Sequence, residues 1–294
     1  MSDRTTAGPS ATAEEAADVR LPEAARLFGA RATRCRALAP GNHAADYLSW
    51  LASVADAQAA ACREVPIAAA AARVHWPVPL AAGRWPDGDL WPAALDLIAG
   101  RLAAVPAPRQ TTEALARVRG MSASRRSEMA AALLGSPERD SGDPGAAVLV
   151  AAALQACWSA MTALVPTPPP AASGGRCPVC GSLPVAGLVL GDRSLRYLAC
   201  SLCAAEWHLT RLVCARCGST DDLSYFAVEG APAVKAEACG RCRHYLKQFY
   251  LEQVPAADAV ADDVASLALD LLMADEGFAR AGADPFLLIA RPLA

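Results

Sequence analysis

Four Cys-x-x-Cys pairs stand inside 66 residues of this 294-residue chain: Cys177/Cys180, Cys200/Cys203, Cys214/Cys217 and Cys239/Cys242. Two thiolates separated by two residues grip one metal ion from a tight turn, and a second such turn completes a tetrahedron. Four turns therefore make two sites, and the segment must fold around them. The gaps between pairs are 19 residues (Gly181 to Ala199), 10 (Ala204 to Val213) and 21 (Gly218 to Ala238). The long gaps fall inside units and the short one between them, the pattern of two tandem four-cysteine ribbons.

Internal repetition supports this pairing. Cys177-Pro-Val-Cys180-Gly181-Ser182 returns 37 residues later as Cys214-Ala-Arg-Cys217-Gly218-Ser219, and Cys200/Cys203 return 39 residues later as Cys239/Cys242. Cys177, Cys180, Cys200 and Cys203 are then expected to hold one metal, and Cys214, Cys217, Cys239 and Cys242 the other. A cross-braced arrangement, with Cys177/Cys180 and Cys214/Cys217 sharing an ion, stays open on spacing alone. Gly181 and Gly218 allow the positive φ that closes a turn around the sulfurs. Ala204 and Arg243 follow the other two pairs, so those turns are expected to lack this feature.

Between the turns, Leu183–Leu190 and Leu195–Leu198 read as strands, as do Leu223–Val228 and Ala233–Ala236 around Glu229-Gly230. Glu206, Trp207 and His208 belong to a strand leaving the first unit, with Trp207 covering a ribbon core. Units this small cannot bury enough apolar surface, so metal ligation must supply much of their folding free energy. Tetrahedral sulfur suits iron and zinc alike. His208 and His244 lie near cysteines, but four thiols per unit leave them no ligand position; His43 and His75 are assigned no role.

The first 165 residues read as a helical domain. Tyr47, Trp50, Leu51 and Val54 form one face of a helix from about Ala44 to Arg63. Leu95, Ile98 and Leu102 follow Trp91-Pro92, and Leu115 and Val118 follow an opening at Thr112-Glu113. Asp143-Pro144 is an N-cap signal for a long helix. Its uncharged run, Ala146 to Val165, has membrane-spanning length, but Gln155, Ser159 and Thr162 interrupt it and no basic cluster follows, so it is expected to be a buried central helix. Pro166 to Gly175 is a linker. Beyond the ribbons, Pro255 opens a helix with Val260, Val264, Leu267 and Leu271 on one face, and Asp262-Asp263 on its polar side. The expected architecture is thus a mainly α N-terminal domain (1–165), a linker (166–175), two small β zinc-ribbon units (176–212 and 213–253) and a C-terminal helix and tail (254–294).

The remaining signals exclude functions. The start, Met1-Ser-Asp-Arg, carries no apolar run, which points to a reducing compartment and against disulfides. Cys35, Cys62 and Cys157 stand singly in helical patterns, as small core residues. A net charge of −3 gives no basic footprint for nucleic acid. No phosphate loop, His-Glu-x-x-His or Gly-x-Ser-x-Gly motif is present, so an independent enzyme is not indicated. Arg176, Arg196, Arg211, Arg216, Arg241, Arg243 and Lys247 crowd the cysteines and read as charge compensation on a solvated ribbon surface.

The motif Cys177-Pro-x-Cys-Gly-Ser-x-Pro184, then Leu195-Arg-Tyr-Leu-x-Cys200-x-Leu-Cys203-x-x-Glu-Trp-His208-x-x-Arg211-x-x-Cys214, Lys235-Ala-Glu237-x-Cys239 and Tyr245-Leu-Lys247 resembles the FdhE family of formate dehydrogenase accessory proteins. Ala261-Asp-Asp263-x-Ala-Ser-Leu267-x-Leu-Asp270, Glu276-Gly-Phe278 and Pro285-Phe-Leu287 are similar too, as are Arg34-x-Arg36-Ala-Leu and Asp46-Tyr-Leu near the start. Asp284 stands where that family commonly has Asn. The resemblance implies a cytoplasmic maturation factor, with rubredoxin-like sites for two metal ions (iron in preference to zinc). It implies engagement of the catalytic subunit of a molybdenum- or tungsten-containing formate dehydrogenase, no membrane span and no formate oxidation of its own; self-association is left open. The alternative reading is a zinc-ribbon nucleic-acid-binding or regulatory protein.

Overall fold

The computed structural model describes residues 18–66, 90–135, 142–166, 168–170, 174–191, 195–231 and 233–287. His75, parts of the 166–175 linker and Asp192 lie outside them. Among the described residues six helices come first: α1 (Ala24–Leu38), α2 (Ala45–Glu64), α3 (Leu90–Leu102), α4 (Arg109–Arg119), α5 (Ala123–Gly135) and α6 (Pro144–Thr162). Pro92 sits in the first turn of α3, where its missing N–H costs nothing. Asp143 caps α6, its carboxylate accepting from the Ala146 N–H at 3.1 Å. The α4 helix starts behind Pro108, earlier than Thr112-Glu113 suggests.

Alanine lets these helices approach closely. α6 is the central one: it packs against α1 to α5, and every residue from Ala146 to Thr162 is buried. Among the described residues it is the one helix long and apolar enough to cross a membrane, and 94% of its apolar window is covered by the protein. Gln155 is its best-connected polar group, whereas the buried Ser159 and Thr162 hydroxyls find no hydrogen-bond partner among the described residues. Gln155 Oε1 accepts from Arg31 Nη1 at 2.7 Å and Gln58 Nε2 at 3.1 Å, while its Nε2 donates to the Ser201 carbonyl at 2.9 Å. A buried polar relay thus runs from α1 and α2 through α6 to the second turn of the first ribbon.

The strands are β1 (Val19–Arg20), β2 (Pro184–Leu190), β3 (Leu195–Cys200), β4 (Glu206–His208), β5 (Leu223–Phe226), β6 (Val234–Cys239), β7 (His244–Tyr250) and β8 (Ala279–Arg280). The two ribbons do not stand apart. They form one sheet, in the order β1-β4-β3-β2-β7-β6-β5 with β8 beside β7. The joint between ribbons is a parallel pairing of β2 with β7, Gly187 opposite Gln248 and Val189 opposite Tyr250. Gly187 leaves room for the Gln248 side chain: a Cβ on it would lie 1.9 Å from that side chain's oxygen, which would have to swing aside. β1 brings the N-terminal part onto the first ribbon, Val19 opposite Trp207, and Trp207 is fully buried. Bundle and first ribbon therefore share one apolar core, which includes Cys177, Cys180, Cys200 and Cys203.

The C-terminal helix departs from its sequence reading. It breaks at Ser266 into α7 (Ala261–Ala265) and α8 (Leu267–Asp275). Ser266 donates its hydroxyl to the Asp262 carbonyl at 2.7 Å, competing with the helix's own bonds. The break rotates the second half, so Leu269 and Met273 are buried while Leu271 is exposed.

Candidate metal centres

Each ribbon gathers its own four sulfurs. The Sγ atoms of Cys177, Cys180, Cys200 and Cys203 lie within 4.8 Å of one another, as do those of Cys214, Cys217, Cys239 and Cys242. The repeated backbone explains how. In the first turn of each ribbon, Gly181 N–H donates to the Cys177 carbonyl and Gly218 N–H to that of Cys214, both at 2.9 Å. Cys177 N–H donates to Ser182 and Cys214 N–H to Ser219. Gly181 and Gly218 adopt φ of 78° and 75°. Ala204 and Arg243 adopt φ of 56° and 57° without being glycine. The second turns therefore have the same left-handed shape as the first, against the sequence expectation. That costs about 1–2 kcal/mol at each position.

The sulfur spacing tests whether a metal fits. Cys177–Cys203 and Cys180–Cys200 are 3.5 and 3.4 Å apart, and Cys214–Cys242 and Cys217–Cys239 are 3.7 and 3.8 Å. A tetrahedron of metal–sulfur bonds about 2.3 Å long has edges of about 3.8 Å. The donor set is all sulfur: His244 Nδ1 instead contacts the Cys242 carbonyl at 2.6 Å, and His208 lies edge-on to Tyr197. Burial raises the Cys200 and Cys203 thiols, while hydrogen bonds from Cys177 and then Cys200 pull Cys180 down. Four buried sulfurs become thiolates together only around a cation. Backbone N–H groups of Leu202 and Cys203 point at Cys200 Sγ, and that of Arg216 at Cys214 Sγ, the contacts that stabilise ligated sulfur. Cys35 and Cys62 are pushed up to about 12 by burial, and Cys157 is raised for the same reason. These three lie outside both clusters.

Two buried ion networks brace the sheet, one across the two ribbons and one between β7 and the C-terminal helices, and sequence reading placed Arg196 and Lys247 of these on a solvated surface. Arg196 on β3 is 1% exposed. It donates to Glu237 on β6 at 2.5 Å and to the carbonyls of Leu209, Thr210 and Val213, clamping the inter-ribbon segment across both units. Tyr225 donates to the other oxygen of Glu237 at 2.7 Å. Lys247 on β7 donates to Asp270 at 2.6 Å and lies 3.2 Å from Asp263; Arg280 pairs with both acids. Asp262 is likewise no polar-face residue: Arg34 Nε and Nη2 grip its two oxygens at 2.9 and 2.6 Å. Arg176, Arg216, Arg241 and Arg243 are exposed, as expected.

Asp284 closes the second network. Burial first, and the Asp263 charge next, raise its carboxyl well above the ordinary carboxylate range. Ionising it in the fold would set a further buried negative charge beside Asp263, where Lys247 and Arg280 already face two carboxylates. The sign follows: with the folded value raised above about 3.9, this group's contribution is full below that pH and is lost as pH rises through the folded value. Asp284→Asn copies the protonated shape. It is expected to flatten the fall in stability from about pH 4 upward and to leave the neutral-pH protein as stable or more so. Urea unfolding across pH checks this; a loss of stability equal at every pH would contradict it.

Three family models cover the chain: the FdhE N-terminal domain at residues 16–173, the FdhE central domain at 176–211 and the FdhE C-terminal domain at 212–287. The FdhE homolog of Edwardsiella ictaluri is 39% identical over 279 residues, 91% of this chain and 90% of that one. That of Serratia proteamaculans is 38% identical, covering 95% and 93%. The crystal structure of the FdhE protein from Pseudomonas aeruginosa superposes with a TM-score of 0.78 at 33% identity, over 94% of this chain and all of that one. With two four-cysteine clusters on one sheet and all three domains matched, the chain belongs to the FdhE family.

Proposed function

We propose that this chain is a cytoplasmic accessory factor that holds two metal ions, iron in preference to zinc, and engages the catalytic subunit of a molybdenum- or tungsten-containing formate dehydrogenase during its maturation. The observation that carries this reading is the conjunction of two complete four-sulfur clusters with family matches that run the length of the chain. Cys177, Cys180, Cys200 and Cys203 would hold one ion and Cys214, Cys217, Cys239 and Cys242 the other. Four thiolates leave a divalent site at a formal charge of −2, which the exposed arginines around both ribbons offset. The protein acts by binding rather than by turning over formate. Affinity capture from cells respiring formate, with metal analysis of the same sample, tests this. The catalytic subunit should co-purify and two metal equivalents should be present, with iron in excess of zinc. Recovery of a defined nucleic acid in place of the subunit would favour the zinc-ribbon alternative.

A further inference from the structure

The two clusters are equal in donors and unequal in access. All four cysteines of the first are buried. In the second, Cys214 and Cys239 are buried, Cys242 is half-buried and Cys217 is exposed. The surroundings differ in the same sense. The Cys200–Cys203 turn is pinned from outside by Gln155 on its Ser201 carbonyl, and from inside by the Ser201 hydroxyl on Leu183 at 3.2 Å. A cleft of about 480 Å³ between α1 and residues 255–260 borders Cys200 and Ala204, yet Cys200 is only 3% exposed. The second cluster is tethered near β5, the last strand of the sheet, whose Ser224 and Tyr225 face solvent.

We propose that the first site holds its metal permanently, as part of the core, and that the second exchanges its metal with thiolate or chelating donors in solution through the Cys217 position. This rests on the reading that both clusters hold metal. Reaching a sulfur of the first site requires the Cys200–Cys203 turn to leave α6, which is an opening of the shared core. Reaching Cys217 requires no such opening. With a metal bound, Cys214, Cys239 and Cys242 would keep hold of it while a bond from the incoming donor replaced the bond from Cys217, and the released Cys217 thiolate would take a proton from water. Three fixed ligands and one replaceable position are also the arrangement of zinc sites that exchange a ligand during chemistry.

The full-length protein carrying two equivalents of zinc is mixed with excess 4-(2-pyridylazo)resorcinol. One equivalent should leave roughly tenfold or more faster than the other, with near-ultraviolet circular dichroism unchanged during the fast phase. Cys217→Ser should speed or abolish the fast equivalent and leave the rate of the slow one alone. Because a substitution can act through folding, the unsubstituted loaded protein is also treated with iodoacetamide and mapped by mass spectrometry. Cys217 should be alkylated first, in step with release of one equivalent, ahead of Cys177, Cys180, Cys200 and Cys203. Two equivalents leaving at one rate, or first-site cysteines alkylated as fast as Cys217, would overturn the exchange and leave the metal-binding reading standing. Fewer than two equivalents bound at the outset would overturn both.

Discussion

Serine at both Cys200 and Cys203 is expected to unfold the sheet and loosen the helical bundle with it, while the same change at Cys214 and Cys217 removes one metal equivalent and leaves the bundle folded. The difference follows from where each site sits. Four-sulfur zinc sites supply about 10–16 kcal/mol of folding free energy in small domains, and whole domains are stable by only about 5–15 kcal/mol. Losing the first site leaves polar hydroxyls in a core that also contains Trp207, Leu198 and the buried face of α6. It frees the Ser201 carbonyl from Gln155, whose other bonds tie α1 and α2 together. The second site lies farther out: Cys217 is exposed and Cys242 half-buried, and of its two Cys-x-x-Cys turns Ala215 alone belongs to the shared core, the rest lying beside a smaller core of Ala236, Ala238, Tyr245, Leu269 and Met273. Metal analysis and thermal unfolding of both variants read this directly. Equal loss of helix signal in the two would mean that the first site is not part of the shared core.

Lys247→Met is expected to cost about 3–5 kcal/mol, the range for removing one partner of a buried ion pair. Lys247 is 1% exposed, and its ammonium also donates to the Asp263 and Ser266 carbonyls and to the Ser266 hydroxyl. Methionine fills the volume but leaves Asp263 and Asp270 facing Arg280 alone, one negative charge in excess. Hydrogen exchange should show α7 and α8 released from β7 before the bundle opens. Adding Asp270→Asn removes the excess charge and should recover part of the loss, which a purely steric defect would not allow. Urea midpoints of the two single variants and the double variant make the comparison; a single variant within about 0.5 kcal/mol of the parent would show the network to be dispensable.

Much of the site was legible because its signals are local. Cys-x-x-Cys turns, the glycines after Cys180 and Cys217, the Asp143 cap and the apolar face of α2 each lie within a few residues of their partners. The grouping of sulfurs by ribbon followed from the repeat. What sequence reading missed is long-range. The β2–β7 pairing joins residues about sixty positions apart, and parallel register leaves no turn between the strands to announce it. Asp262 and Asp263 look like a solvated face in one dimension, since Arg34 lies 228 positions away and nothing local marks a buried partner. Lys247 and Arg196 misled for the same reason. Gly187 was the one local sign of close approach, and a glycine inside a strand does not say which segment approaches it. Ala204 and Arg243 show the converse, a turn geometry imposed by the sulfur cluster on residues that would not choose it.

The proposed role is tested most directly by formate dehydrogenase activity in a strain lacking this chain, measured alongside the amount of catalytic-subunit polypeptide. The expected result is subunit present at its normal level but inactive, with activity restored by the intact chain and not by the Cys200→Ser/Cys203→Ser variant. Full activity of every formate dehydrogenase without the chain would contradict the account.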